Sequence, residues 1–165
     1  MKGDDGPNLL RAGAGDDVIV GRAGKDRLLG GRHFCCLDPD ADLIRGGGGR
    51  DSLFGGPGED DLRGGAALDR LFGGGGDDSV DGGEGSDRAF FEAPVTADLS
   101  TGIATGEGND DLTSIEGLVG SFFDDILTGD EGDNILIGNR GNDTLDGRAG
   151  FDRCVTGETV SNCEA

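Results

Sequence analysis

Acidic residues return every nine positions along most of this chain: Asp17 and Asp26, then Asp42, Asp51, Asp60, Asp69, Asp78 and Asp87, and again Asp125, Asp143 and Asp152. Asn8 and Asn134 stand in the same frame. No His accompanies them. A donor set of carboxylate and peptide oxygens selects a hard cation, Ca²⁺ rather than zinc or copper, and Mg²⁺ is disfavoured because it keeps its water. The chemistry expected of these residues is calcium binding.

Something must hold the acids in register, and the surrounding pattern supplies it. Each unit reads G-G-x-G-x-D-x-U-x, with a large apolar residue two places after the acid: Leu10, Ile19, Leu28, Ile44, Leu53, Leu62, Leu71 and Val80, then Leu127, Leu136 and Leu145. Gly and Asp in the first six positions favour a turn, because they tolerate left-handed and sharply bent backbone. Positions seven to nine alternate polar, apolar, polar, which is a very short strand with one buried face. Two units, eighteen residues, bring the chain back one strand spacing further on, so units eighteen apart stack. The gap from Asp26 to Asp42 is sixteen, which places an insertion of seven residues near 32–38.

In tandem, units such as Gly46-Gly47-Gly48-Gly49-Arg50-Asp51 and Gly73-Gly74-Gly75-Gly76-Asp77-Asp78 resemble the RTX, or haemolysin-type, calcium-binding nonapeptide. The resemblance implies an all-β fold, a parallel β-roll or right-handed β-solenoid. It further implies that each ion lies between two turns one coil apart. The first turn gives carbonyls of positions two and four with its carboxylate, and the second gives carbonyls of positions one and three with its own. One site would use Gly47, Gly49, Asp51, Gly64, Ala66 and Asp69. The next would use Gly56, Gly58, Asp60, Gly73, Gly75 and Asp78, and a third Gly65, Ala67, Asp69, Gly82, Glu84 and Asp87. Asp17, Asp26, Asp42, Asp125, Asp143 and Asp152 complete the carboxylate set. Ser121, Phe123, Asp125, Gly138, Arg140 and Asp143 fit less well, since Phe123 stands where permissive backbone is needed. Asn134 against Asp152, and Asn8 against Asp26, each remove a formal charge.

The chain divides into a first block over 3–90, an irregular hairpin or enlarged coil over 91–119, a second block over 120–155 and a capping tail over 156–165. Val95, Ala97 and Leu99 alternate with Thr96 and Asp98, and Thr101-Gly102 turns the chain back towards Ile103. Acids outside position six, Asp5, Asp16, Asp61, Asp77 and Asp124, read as solvated. If alternate units lie on opposite faces, position nine of one face carries Leu29, Phe54, Phe72 and Phe90. A ladder of that kind invites a cover, either residues 91–119 or a protein partner, or else it is a bare stack of rings.

Composition narrows the functional classes. Lys and Arg number 14 against 34 acids, 26 of them Asp, for a net charge of −20. Nucleic acid, which demands a basic surface, is excluded as a partner. No apolar run is long enough for a membrane span. Leu, Ile, Val and Phe make up 38 of 165 residues, too few to bury a sizeable core, so ion binding must contribute to folding. The stretch Met1 to Asp5 carries no apolar signal, so export uses another signal or the chain is part of a longer one.

Catalytic patterns are missing: there is no H-E-x-x-H, G-x-S-x-G or Walker motif. The run Asp38-Pro39-Asp40-Ala41-Asp42 fails as an EF-hand, with Leu43 and Gly49 where Gly and Glu belong. A zinc site from His33, Cys35 and Cys36 matches no ligand spacing. Four Cys allow three pairings. The ending Asn162-Cys163-Glu164 resembles tails of secreted haemolysin-type proteins, which implies a Cys154–Cys163 bridge and an oxidising compartment. The functional expectation is a secreted, non-enzymatic module that folds on binding Ca²⁺ and serves as a structural, secretion or adhesion scaffold. The alternative is the carboxy-terminal part of a larger secreted protease, lipase or epimerase.

Overall fold

The computed structural model describes residues 1–31 and 40–164. The insertion expected near 32–38, with His33, Cys35 and Cys36, lies outside the described residues. Its length is nonetheless visible in the ladder. Leu43 pairs with Asp61 and Asp61 with Ser79, eighteen apart, whereas Val18 pairs with Leu43 and Arg27 with Ser52, which is seven more.

Eighteen short strands build two sheets, and no helix occurs among the described residues. In the first block, units alternate between the sheets. The odd strands are β1 (Leu9–Arg11), β3 (Arg27–Leu29), β5 (Ser52–Pro57), β7 (Arg70–Gly75) and β9 (Arg88–Phe90). They continue through β13 (Gly117–Val119), β15 (Ile135–Ile137) and β17 (Arg153–Val155) into an eight-stranded parallel sheet. The facing sheet starts with β2 (Val18–Ala23), β4 (Leu43–Gly48), β6 (Asp61–Ala66) and β8 (Ser79–Glu84). It ends with β14 (Ile126–Thr128), β16 (Thr144–Asp146) and β18 (Thr159–Ser161). This is the parallel β-roll.

The core is a thin double column made mainly from position eight, joined by Phe91, Val95 and Ile115 from the segment between the blocks. Leu28, Leu53, Leu71, Leu118 and Leu136 of one sheet face Ile19, Ile44, Leu62, Leu127 and Leu145 of the other, all fully buried. Each such side chain contributes about 1.5–3 kcal/mol of transfer free energy. One layer of them cannot offset the ordering of nine residues per unit, each costing roughly 1–2 kcal/mol in backbone entropy alone.

Residues 91–119 depart from the parallel pattern. β10 (Thr96–Asp98), β11 (Ile103–Thr105) and β12 (Asn109–Thr113) pair antiparallel in sequence, with the turn at 99–102 and the backbone of Gly102 at φ +71°. β12 joins β8 and β10 joins β14, both parallel, so three strands bridge the two blocks within one sheet. In the other sheet β13 follows β9 directly. The expectation that 91–119 lies over the aromatic ladder is corrected by this arrangement. Its strands are taken up inside the sheets, and Val119 simply extends the ladder beside Phe90.

Among the described residues, Cys154 is joined to Cys163 by a disulfide, with Cα atoms 5.8 Å apart. The bridge ties the tail to β17, where Glu164 adds a parallel bridge to Arg153.

Candidate metal centre

Each turn delivers its position-six side chain to the edge of the roll just before the strand begins. Stacking then puts these side chains in two columns. On one edge the order is Asn8, Asp26, Asp51, Asp69, Asp87; on the other it is Asp17, Asp42, Asp60, Asp78. The backbone N–H of each residue donates to Oδ1 of the next acid in its column. The lengths are 2.7 Å for Asp26 to Asp51, Asp42 to Asp60, Asp51 to Asp69 and Asp69 to Asp87, and 2.9 Å for Asp60 to Asp78. Asp17 to Asp42 and Asp125 to Asp143 follow the same rule.

In eight of these carboxylates one oxygen is used by the fold and the other is not. Oδ2 of Asp26, Asp51, Asp60, Asp69, Asp78, Asp87, Asp143 and Asp152 is buried with no hydrogen-bond partner. Leaving a buried polar atom unsatisfied costs about 1–3 kcal/mol, and more for a charge. Burial drives several of these carboxyls upward in pKa, with like charges along the column adding to it. Asp51, Asp60 and Asp87 are pushed up to about 6, Asp69 to about 7 and Asp78 to about 8. Asp42 and Asp143 are raised by the same cause. An anionic column of this kind is what a bound cation would neutralise.

Backbone oxygens converge on the same places. Position one is close-packed: a Cβ on Gly64 would lie 2.6 Å from both Asp69 Oδ2 and the Gly82 carbonyl, and Gly73 and Gly82 are similarly confined. Positions two and four take left-handed backbone at Gly47, Gly49, Gly56, Gly58, Gly65 and Ala67. Position four of each turn donates to the position-three carbonyl of the stacked turn: Gly49 to Ala66 at 3.0 Å, Gly58 to Gly75 at 2.7 Å and Ala67 to Glu84 at 2.7 Å. The two halves of each of the three sites expected from the sequence are thus brought together. Among the described residues no three acidic, His or Cys side chains form a metal-binding group. The donors fit a hard cation as carboxylate pairs completed by carbonyls, a set suited to Ca²⁺.

The fourth expected site is built differently. Phe123 is exposed and has no left-handed φ, and the Ser121 N–H and hydroxyl both donate to the Asp125 carboxylate, at 2.6 and 3.1 Å. Gly138 confines Asp143 Oδ2 as its counterparts do, while Arg140 lies over the Phe122 ring. Three column members escaped the sequence reading. Asp110 and Glu116 accept the N–H of Asp78 and Asp87, and Glu158 accepts that of Asp143. A signal existed, since each stands two places before an apolar residue, Leu112, Leu118 or Val160, and Glu116 stands nine before Asp125; Asp110 and Glu158 fall outside the nine-residue phase. Asp110 is buried and pushed up to about 6. The position-five acids read as solvated do more than that: Asp16, Asp77 and Asp124 accept the N–H of Ala41, Asn109 and Asn142 in the neighbouring coil.

A sequence profile of the RTX calcium-binding nonapeptide repeat matches the chain in four copies, over residues 2–32, 38–67, 54–89 and 119–154. The chain belongs to this family. The profile spans both RTX blocks and stops at the antiparallel strands between them, where the nine-residue turn is lost. No curated protein matches the chain. RTX repeats are a calcium-binding repeat module, and the turns described above are their structural unit here.

Proposed function

We propose that this RTX chain is a non-enzymatic calcium-binding roll, secreted from the cell, whose folding is driven by the ion and which acts as a scaffold for secretion or adhesion. The observation that carries this is the row of buried, unpartnered Oδ2 atoms beside converging carbonyls. Sites that exist only in the stacked chain turn binding free energy into folding free energy. Gly47, Gly49, Asp51, Gly64, Ala66 and Asp69, and the equivalent sets along both edges, would hold Ca²⁺. The ion supplies charge neutralisation. Millimolar calcium and the oxidising surroundings that maintain Cys154–Cys163 occur together outside the cell. Far-ultraviolet circular dichroism during a calcium titration, with magnesium as control, tests the proposal. Order and stability should increase with calcium and not with magnesium, and a spectrum already ordered in chelator and unchanged by calcium would defeat it.

The adhesion reading is favoured by one face of the roll. On the eight-stranded sheet, the outward positions carry Arg11, Arg27, Arg70, Arg88 and Arg153 and no acid, in a chain of net charge −20. Beside them run stacked rings, Phe54 on Phe72 at 4.4 Å and Phe72 on Phe90 at 4.6 Å, with Arg27 over Phe54 and Arg70 over Phe90. The opposite sheet presents Asp61, Asp81, Asp98, Asp111 and Asp146. Charge complementarity selects an acidic polypeptide as the partner for the arginine face. A polyglutamate peptide at low salt should bind the calcium-loaded roll. Binding that survives Arg27→Glu with Arg70→Glu, or no binding at all, would refute this.

A further inference from the structure

Two kinds of turn occur along the columns, and they differ in what satisfies position six. In eight units the second oxygen of that side chain is buried without a partner, at Asp26, Asp51, Asp60, Asp69, Asp78, Asp87, Asp143 and Asp152. Position two of each of these has positive φ: Arg22, Gly47, Gly56, Gly65, Gly74, Gly83, Asn139 and Arg148. The remaining three units with a close-packed position-one Gly and a complete turn behave otherwise. Position two is Asp4, Ser121 or Asp130, and none of these has positive φ. Its backbone N–H turns inward and donates to position six, Asp4 to Asn8 at 2.9 Å, Ser121 to Asp125 at 2.6 Å and Asp130 to Asn134 at 2.8 Å.

The same three turns share a second bond. The position-two side chain accepts the N–H of position four: Asp4 from Gly6 at 2.9 Å, Ser121 from Phe123 at 3.0 Å and Asp130 from Gly132 at 2.8 Å. The acceptor atom nevertheless sits where the orphaned oxygen sits in the other eight. A Cβ on Gly3, Gly120 or Gly129 would meet it within 2.4 Å, as one on Gly21 or Gly55 would meet the orphan at 2.3 Å. One location thus holds either an oxygen with nothing bound or an oxygen bonded to an inward N–H.

We infer that the residue at position two selects between a cation-binding turn and a self-capped turn, and that the turns at Asp4–Asn8, Ser121–Asp125 and Asp130–Asn134 close without an ion. This rests on the calcium reading above and specifies which of its sites are real. An N–H dipole with its positive end towards the site repels a cation, and the carbonyl of position one, which shares that peptide, points the opposite way. Asp or Ser at position two stabilises the capped form through an Asx- or Ser-turn bond, whereas Gly permits the left-handed open form. The pairing of Asp at two with Asn at six, in two of the three capped turns, follows naturally. Where no cation is held, the carboxylate charge at position six is not required.

Two opposite conversions test the assignment, with bound calcium per chain measured by native mass spectrometry and stability measured in chelator. Gly65→Ser should close a turn, because a Cβ there would lie 2.1 Å from the Gly47 carbonyl unless φ changes sign, and the change would also release Ala67 from φ +87°. It should lose at least one ion while remaining as stable as the parent in chelator. Ser121→Gly with Phe123→Gly should open a turn and gain one ion. An unchanged calcium count in the second variant overturns the inference, whether or not the first folds; so does an unchanged count in a folded Gly65→Ser. A parent chain that binds no calcium would instead overturn the calcium reading itself.

Discussion

Replacing Asp69 by Asn separates the contribution of the ion from that of the fold. Asp69 accepts from Asp51 and donates to Asp87, so it belongs to two neighbouring carboxylate pairs. A site filled at a hundred times its dissociation constant stabilises the folded chain by about 2.7 kcal/mol. Losing two such sites removes about 5 kcal/mol, out of an ordinary domain stability of roughly 5–15 kcal/mol. In chelator the balance differs. The buried carboxylate is exchanged for an amide whose nitrogen can donate to the Gly82 carbonyl, which lies against the same Gly64 as Asp69 Oδ2. There the substitution should be neutral or stabilising. Asp125→Asn is the control for calcium dependence: its two oxygens accept from Val95 and from Ser121, so an amide leaves one buried N–H unmet and should cost about 1–3 kcal/mol, the same in either buffer. Urea denaturation followed by circular dichroism, in saturating calcium and in chelator, reads all four values. The reasoning fails if Asp69→Asn costs the same with and without calcium, or if Asp125→Asn costs as much as Asp69→Asn in calcium.

The raised carboxyls give the chelated roll an inverted pH profile. Folded pKa values near 6 to 8, against an unfolded value of 3.8, mean that the folded chain binds more protons between about pH 4 and 8. Stability in chelator should thus be greatest in acid and fall as pH rises through that window, whereas in calcium acid should weaken the fold by competing with the ion; a flat chelator profile would contradict the burial argument. Leu71→Ala, at a fully buried column position, should cost about 2–5 kcal/mol, while the same truncation at exposed Leu9 should stay within about 0.5 kcal/mol; equal losses in thermal melts would deny the column its role. Cys163→Ser opens a bridge spanning nine residues and should cost roughly 2–3 kcal/mol in oxidising buffer and nothing in reductant, as compared by denaturation in the two buffers.

Much of this architecture was legible because its period is short and its signals are redundant. An apolar residue two places after an acid fixes both the strand and its inward face, so Leu53, Leu71 and their equivalents could be placed in the core from spacing alone. The same parity set Phe54, Phe72 and Phe90 in one ladder. What escaped lies where period and geometry part company. Asp110 joins its column through the last strand of a hairpin set between the blocks, and no nine-residue frame can foresee that Asp78 will meet Asp110, whereas Glu116 stands nine before Asp125 and was masked by carrying Glu in place of Asp. The difference between open and capped turns escaped for another reason. It depends on the sign of one backbone angle at position two, which Asp4, Ser121 and Asp130 alter through their own side-chain bonds, and Asn8 and Asn134 marked two of these turns only by their missing charge.

Charge in this chain is placed by a local rule. A stacked column of acids is unfavourable by itself, and each open turn worsens the repulsion by hiding an oxygen that nothing in the protein satisfies. Such an arrangement persists in a fold only when a partner absent from the unfolded chain arrives to relieve it. At Asn8 and Asn134 the relief comes from the backbone of the same turn, and there the formal charge has been dropped. At Asp125 the charge remains, but the N–H groups of Val95 and Ser121 and the Ser121 hydroxyl all meet it. The acidity of the columns therefore tracks the turns that lack an internal donor, which is the distribution expected if the negative charge serves the ion rather than solubility.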